Sequence, residues 1–130
     1  MRNIIFVLLL TTLTAVSCQQ EDTNDCEGYL TFSQVTVPAT ASAGTGIAFN
    51  TEVTGANLCY HFSRFIIDRI TLNSYEVRAY GSVPCEKSIC AQAIYTARPA
   101  GLIGDILPGT YTIRFYNGDA LYSTATVVVN

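Results

Sequence analysis

Residues 107–129 read LPGTYTIRFYNGDALYSTATVVV, and this stretch decides the fold class. Two runs of Tyr, Thr, Ile, Phe and Val alternate with polar residues on either side of Asn117-Gly118-Asp119. Alternation at period two with a turn signal between the runs describes a β-hairpin. Tyr111, Ile113 and Phe115 form the inward face of the first arm. Leu121, Ala125, Val127 and Val129 form that of the second. A two-residue Asn117-Gly118 turn would set Phe115 opposite Ala120 and Arg114 opposite Leu121. Because a one-residue slip exchanges the faces of a strand, that register puts a charge across from a core residue. An odd loop, Asn117-Gly118-Asp119 with a bulge, sets Phe115 opposite Leu121 and Arg114 beside Tyr122, and it is the register expected.

The same grammar runs upstream. Tyr29 to Val37 is expected as a strand closed by Pro38, and Ala39 to Gly46 (ATASAGTG) as a loop. Ile47, Phe49, Thr51 and Val53 alternate along a second strand before Gly55-Ala56-Asn57. Phe62, Phe65, Ile66 and Ile70 also fit helical spacing, but no capping signal precedes them, so Leu58 to Ile67 is expected as strand. Leu72 to Tyr80 is a fourth strand, with Tyr75, Val77 and Ala79 on one face and Glu76, Arg78 and Tyr80 on the other. Ala91 to Ala97 is a fifth, ending at Arg98-Pro99-Ala100-Gly101. About seven short strands in about 100 residues point to an all-β sandwich.

Leu107-Pro108-Gly109-Thr110-Tyr111, followed by Ile113 and Phe115, resembles the penultimate strand of immunoglobulin-like domains. The resemblance implies an antiparallel β-sandwich in which Tyr111 makes a corner contact with upstream backbone. It covers about a quarter of the chain and stops short of antibody domains, which carry a core Trp and disulfide. This chain has no Trp, and Ile113 stands two places after Tyr111, where those domains carry Cys.

The first seventeen residues read as an address. Met1-Arg2-Asn3 is a short basic start, Ile4 to Leu10 is unbroken apolar sequence, and Ala15-Val16-Ser17 offers small residues before Cys18. The run is shorter than the roughly 20 apolar residues of a membrane span and matches a secretory signal peptide. Ala15-Val16-Ser17-Cys18 resembles the lipobox of bacterial lipoproteins, with Ala15 at a position usually held by Leu. That resemblance implies that Cys18 is acylated and becomes the first residue. Cys18-Gln19-Gln20-Glu21-Asp22 resembles the sorting signal of surface lipoproteins in one large group of Gram-negative bacteria. The implied location is the outer face of the outer membrane, with several acyl chains holding the chain there. Residues 18–27 then read as an acidic, flexible tether, and 28–130 as the domain.

Five cysteines become an even set of four once Cys18 is set aside. An exported chain faces an oxidising compartment, so Cys26, Cys59, Cys85 and Cys90 are expected as disulfides. Cys85 and Cys90 enclose only four residues after Pro84, so Cys85–Cys90 and hence Cys26–Cys59 is the pairing expected. Zinc is the rival reading, from Cys85-x₄-Cys90 with His61 near Cys59, at the edge of metal-site spacing.

Composition limits the chemistry. Lys and Arg number 7 against 10 Asp and Glu, so the basic footprint of a nucleic-acid binder is missing. Beyond Gly28 the acids (Glu52, Asp68, Glu76, Glu86, Asp105, Asp119) balance the bases (Arg64, Arg69, Arg78, Lys87, Arg98, Arg114). His61 is the single imidazole, and no Gly-x-Ser-x-Gly elbow, paired carboxylates or phosphate loop accompanies it. No enzyme, cofactor or metal is expected. All eight tyrosines lie in the domain; Tyr is a good strand residue and also a low-entropy recognition residue. Arg78, Tyr80, Arg114, Tyr116 and Tyr122 are the candidate binding face. The function expected is non-catalytic: a lipid-anchored surface domain that binds a protein or glycan, or an accessory subunit of an envelope complex. The alternatives are a structural lipoprotein facing the periplasm, and an inhibitor of an enzyme such as lysozyme that uses Pro84 to Cys90 as a plug.

Overall fold

The computed structural model describes residues 25–86 and 89–130. The expected leader, Cys18 and all but the end of the tether lie outside the described residues. Among these residues the fold is all-β, 70% strand with no helix, in a sheet curled into a half-barrel. Nine strands form it: β1 (Asp25–Thr36), β2 (Thr40–Ala41), β3 (Ile47–Gly55), β4 (His61–Thr71), β5 (Ser74–Pro84), β6 (Tyr95–Ala97), β7 (Ala100–Ile103), β8 (Gly109–Asn117) and β9 (Ala120–Val129).

The strand count exceeds the expected seven because β2 and β7 lie in stretches read as loop. The small residues at 40–41 and 100–101 lie against β9 and β3, where little side-chain volume is wanted. Gly101 illustrates this: a Cβ there would sit 2.1 Å from Cζ of the buried Phe49 ring. The expected strand at 91–97 shortens to Tyr95–Ala97. β1 in turn starts at Asp25, inside the segment read as tether, because Asp25, Cys26 and Glu27 pair with Pro84, Val83 and Ser82.

The sheet bends on β1. Residues 25–30 pair with β5, whereas residues 31–36 pair with β3 on the opposite edge. Ser33 is an extra residue between the pairs Phe32↔Val53 and Gln34↔Glu52, and such a bulge bends and twists a strand. β3 carries β6 and β7 on its far edge. β5 carries β4 along one edge, and β1 and β8 in succession along the other. The sheet is mixed rather than purely antiparallel: β5 with β8, and β2 with β9, are parallel. A parallel pair needs a long crossover. The chain between β5 and β8 supplies it, pairing β6 and β7 with β3 on the way.

The curl encloses one core. Phe32, Phe49 and Phe115 are each at most 1% exposed. Their rings meet edge to face, Phe32 with Phe115 at 5.5 Å and Phe49 with Phe115 at 5.4 Å. Phe65 of β4 closes the group, 5.1 Å from Phe49. The inward alternation read for Tyr75, Val77, Ala79, Tyr111, Ile113, Phe115, Val127 and Val129 holds, since all are buried.

The last hairpin keeps the expected parity but not the expected loop. Asn117 pairs with Ala120 across a two-residue Gly118-Asp119 turn, and Gly118 has the positive φ (59°) that suits the first turn position. Tyr122 is then bulged out, so Phe115 faces Ser123 and Arg114 faces Thr124. The bulge, not an odd loop, sets Ile113 against Ala125 and Tyr111 against Val127. Leu121 falls outside it and is 55% exposed, not inward. The side chain of Asn117 fixes this position: Oδ1 accepts the Phe32 N–H at 2.7 Å, and Nδ2 donates to the Phe32 carbonyl at 3.3 Å. It saturates β1 just past the point where β5 stops pairing with it.

The disulfides are Cys26–Cys85 and Cys59–Cys90, not the expected Cys85–Cys90 and Cys26–Cys59. The ladder of β1 on β5 brings Cys26 to the end of β5. The Leu58 N–H bonded to the Ala91 carbonyl brings Cys59 to Cys90.

Candidate functional site

β5 runs through the middle of one outer face of the sheet. Its outward residues Glu76, Arg78 and Tyr80 each have a partner on both sides, and directly paired residues point the same way. Arg64 of β4, Tyr80 and Tyr29 of β1 make one row. Ile66, Arg78 and Tyr116 make the second. Asp68, Glu76 and Arg114 make the third. The result is a three-by-three grid of three rings, three guanidiniums, two carboxylates and the side chain of Ile66.

The grid is organised by stacking. The Tyr29 and Tyr80 rings lie 4.6 Å apart, and the Arg64 guanidinium lies over Tyr80 at 5.5 Å. Arg64 holds Glu27 through both carboxylate oxygens, Nη2 to Oε2 at 2.9 Å. Arg78 lies 4.7 Å over Tyr116, donates from Nε to the Gly118 carbonyl at 3.0 Å, and pairs with Glu76 at 3.2 Å. Planar guanidinium suits this combination of stacking and directed donation, which Lys could not reproduce. The Arg78–Glu76 pair is only about a fifth exposed (19% and 22%), whereas Arg64 and Glu27 are about half exposed (45% and 53%). The latter pair orders side chains more than it stabilises the fold. Arg114 makes no hydrogen bond or ion pair among the described residues, so its donors are available.

The titrations follow these contacts. The Arg64 guanidinium bonded to Glu27 holds that carboxyl below the ordinary value of 4.5, and Glu27 in turn raises Arg64. The neighbouring Tyr29 hydroxyl, followed by burial, pushes the Tyr80 phenol above 10.0.

Four of the five residues expected on a binding face, Arg78, Tyr80, Arg114 and Tyr116, come together here. Tyr122 does not join them. Its ring lies against Phe32 at 6.2 Å, and its hydroxyl donates to the Ser33 carbonyl at 2.7 Å, tying the β9 bulge to the β1 bulge. Sequence reading missed Tyr29, Arg64 and Glu27. Parity was available for Glu27 and Tyr29, opposite to buried Leu30 and Phe32, and for Arg64, opposite to Phe65, but not the identity of the strand beside each.

A second polar hollow of about 300 Å³ lies across β1 and β3, lined by Gln34, Thr36, Asn50, Thr51, Glu52 and Arg98. Glu52 accepts from Arg98 and from the Ser33 hydroxyl, each at 2.9 Å, and both bonds lower its carboxyl, Arg98 more. His61 is exposed, edge-on to the Tyr95 ring at 5.8 Å. It pairs across strands with Ser82 and shares a hollow of about 330 Å³ with Asp25. No hydrogen bond joins these three, whereas a triad needs its base in bonding reach of the nucleophile. Among the described residues no group of three or more His, Cys, Asp or Glu is placed to hold a metal ion.

Comparison with protein families, with characterised proteins and with solved structures finds no match to this chain.

Proposed function

We propose that this chain is a non-catalytic, lipid-anchored domain of the bacterial outer membrane. It binds a protein partner at the cell surface through the Arg–Tyr grid on β4, β5, β1 and β8. One observation carries the binding reading: Tyr and Arg side chains are gathered in register on one face and already held by stacking and backbone bonds. Such side chains dominate protein interfaces, and ordering them beforehand lowers the entropic cost of binding. A protein partner fits better than a glycan. A sugar needs an open ring face, and Arg78 covers Tyr116 while Tyr29 and Arg64 lie against Tyr80. The free donors of Arg114 suit a carboxylate on the partner. The anchoring reading rests on the leader and on Cys18-Gln19-Gln20-Glu21-Asp22. We assign the curled sheet to the broad immunoglobulin-like sandwiches, supported by the Tyr111 hydroxyl donating to the Leu107 carbonyl at 2.8 Å.

Two measurements test this. Intact mass and protease shaving on cells should give a chain starting at an acylated Cys18 and cleaved from outside. Full protection would instead favour a structural lipoprotein facing the periplasm. Capture from surface extracts by the full chain should fall at least tenfold with Arg114→Glu or Tyr29→Ser, and stay unchanged with Gln34→Ala in the other hollow. Equal capture by all four proteins would remove the grid from the function, and binding to a glycan array would replace the protein partner.

A second reading, a small enzyme inhibitor, draws on the loop after β5. Cys85 and Cys90 are tied to different parts of the fold, and Ile89 beside Cys90 is fully exposed. An exposed apolar side chain next to a disulfide-anchored residue suits insertion into a cleft. Unchanged lysozyme activity with the purified chain would dispose of that target.

A further inference from the structure

β4 ends the sheet. It pairs with β5 along its length, and among the described residues no other strand lies on its far edge. At its start the Phe62 N–H meets the Tyr95 hydroxyl at 2.9 Å. Register shifts mark both ends of the strand, at Ser63 and at Ile70, and leave Arg64 to Arg69 regular between them. This is an open edge with unspent backbone donors and acceptors, the template on which further strands add.

The sequence of that edge is complementary to itself. In a two-fold antiparallel pair, one residue must face its own copy. Centred on Ile66, the register sets Arg64 against Asp68 of the second copy, Phe65 against Ile67, and Ile66 against Ile66. Both symmetric charge pairs are attractive, each Arg64 guanidinium being shared between Glu27 of its own chain and Asp68 of the other copy, and every apolar residue meets an apolar one. No neighbouring centre does this. Centring on Phe65 sets Ile66 against Arg64. Centring on Ile67 sets Ile66 against Asp68 and Phe65 against Arg69. Centring on Arg64 or Asp68 sets like charges together. Asp68 is exposed and makes no ion pair or hydrogen bond within the described chain, so its carboxylate is free for this role. Phe65, Ile66 and Ile67 are only half-buried and gain cover.

We infer that the chain forms a two-fold dimer through β4, joining two sheets edge to edge in the register centred on Ile66. The partner is a second copy of this chain, chosen by the charge complementarity of Arg64 and Asp68. The contact runs along the β4 column of the proposed grid, Arg64, Ile66 and Asp68, and sets the two copies' grids side by side.

Cross-linking of the full chain in cells tests the register. In the dimer Ile66→Cys faces its own copy with Cα atoms about 5 Å apart, within disulfide reach. It should give a reducible species of twice the mass. Asp68→Cys sits about 14 Å from its own copy, four residues along the strand and one strand across, and should not cross-link. Sedimentation of the otherwise unmodified chain supplies a test that no engineered cysteine can disturb. Asp68→Arg strikes both charge pairs at once and should lower the dimer fraction more than tenfold, and Arg64→Asp together with Asp68→Arg should restore it. Monomer at all concentrations, Asp68→Cys linking as well as Ile66→Cys, or a dimer indifferent to Asp68→Arg would each overturn the inference. Ile66→Cys trapped on a different protein would show that the edge serves another strand.

Discussion

Replacing Asn117 with Ala removes two hydrogen bonds at once. Oδ1 takes the Phe32 N–H at 2.7 Å, and Nδ2 reaches the Phe32 carbonyl at 3.3 Å. Phe32 is 1% exposed at the centre of the aromatic core, so water can reach these backbone groups only by entering beside it. An unsatisfied buried donor costs about 1–3 kcal/mol, and the longer bond to the carbonyl adds less, so the expected loss is about 2–3 kcal/mol. For a domain of about 100 residues that corresponds to a fall in Tm of about 10 °C. Urea unfolding followed by far-ultraviolet circular dichroism, with the disulfides oxidised, measures it. The midpoint should drop with the slope unchanged, since native and unfolded surfaces are alike. Asn117→Asp is the companion. It keeps an acceptor for the Phe32 N–H but sets a carboxylate oxygen against the Phe32 carbonyl, so it too should destabilise. An Asn117→Ala loss under about 0.5 kcal/mol, within the range of an ordinary surface change, would refute the idea that this side chain seats the hairpin on β1. So would an Asn117→Asp chain as stable as the parent.

Gly101→Ala drives a Cβ into the Phe49 ring and should cost about 3 kcal/mol, the top of the overpacking range, with Phe49→Leu recovering part of it. Tyr111→Phe removes the bond to the Leu107 carbonyl and should cost about 1 kcal/mol by the same unfolding assay. Peptide mapping without reduction should recover Cys26 joined to Cys85, and Cys59 to Cys90; a Cys85–Cys90 peptide would contradict the fold. Glu27 and Glu52 have folded pKa values below 4.5, so they favour the fold above that pH and lose this contribution as pH falls through the folded values. The urea midpoint should therefore decline from pH 5 to 3, less steeply in Glu27→Gln with Glu52→Gln. Added salt should shrink the difference, because both pairs face solvent.

What sequence showed was whatever depends on alternation. Burial on one face is a period-two property, so Tyr75, Val77, Ala79, Ile113, Phe115 and Val127 could be assigned without knowing their neighbours. The same reasoning set the parity of the last hairpin, because an odd slip would have buried Arg114. It could not set the turn. Asn117 is claimed by a backbone 85 residues away, and that contact moves the loop one place along and pushes Tyr122 into a bulge. The candidate face divides in the same way. Arg78, Tyr80, Arg114 and Tyr116 could be placed on outer faces by parity, but their meeting depends on β5 lying parallel to β8. A crossover of that length leaves no local trace. Tyr29 and Arg64 were missed for the same reason, being brought to Tyr80 by pairings that only the folded chain makes.

The cysteines turn this contrast into energetics. A bridge from Cys85 to Cys90 would restrain little of the unfolded chain and contribute about 2 kcal/mol by loop entropy. The bridges present span separations of 59 and 31 residues, for which the same relation gives about 4 kcal/mol each. Short spacing therefore favoured the less stabilising pairing, and the β-ladder selects the other. The choice also bears on anchoring. Under the proposed acylation at Cys18, any pull from the membrane enters β1 at Asp25 and would unzip its pairs with β5 one by one, from Pro84 toward Ala79. Cys26–Cys85 lies across the start of that zipper and makes it covalent. Cys26→Ser with Cys85→Ser should therefore free amides 26–30 to exchange hydrogen faster than those of β8 and β9. Equal acceleration in all three strands would mean that the bridge stabilises the domain globally and has no special hold on the tethered end.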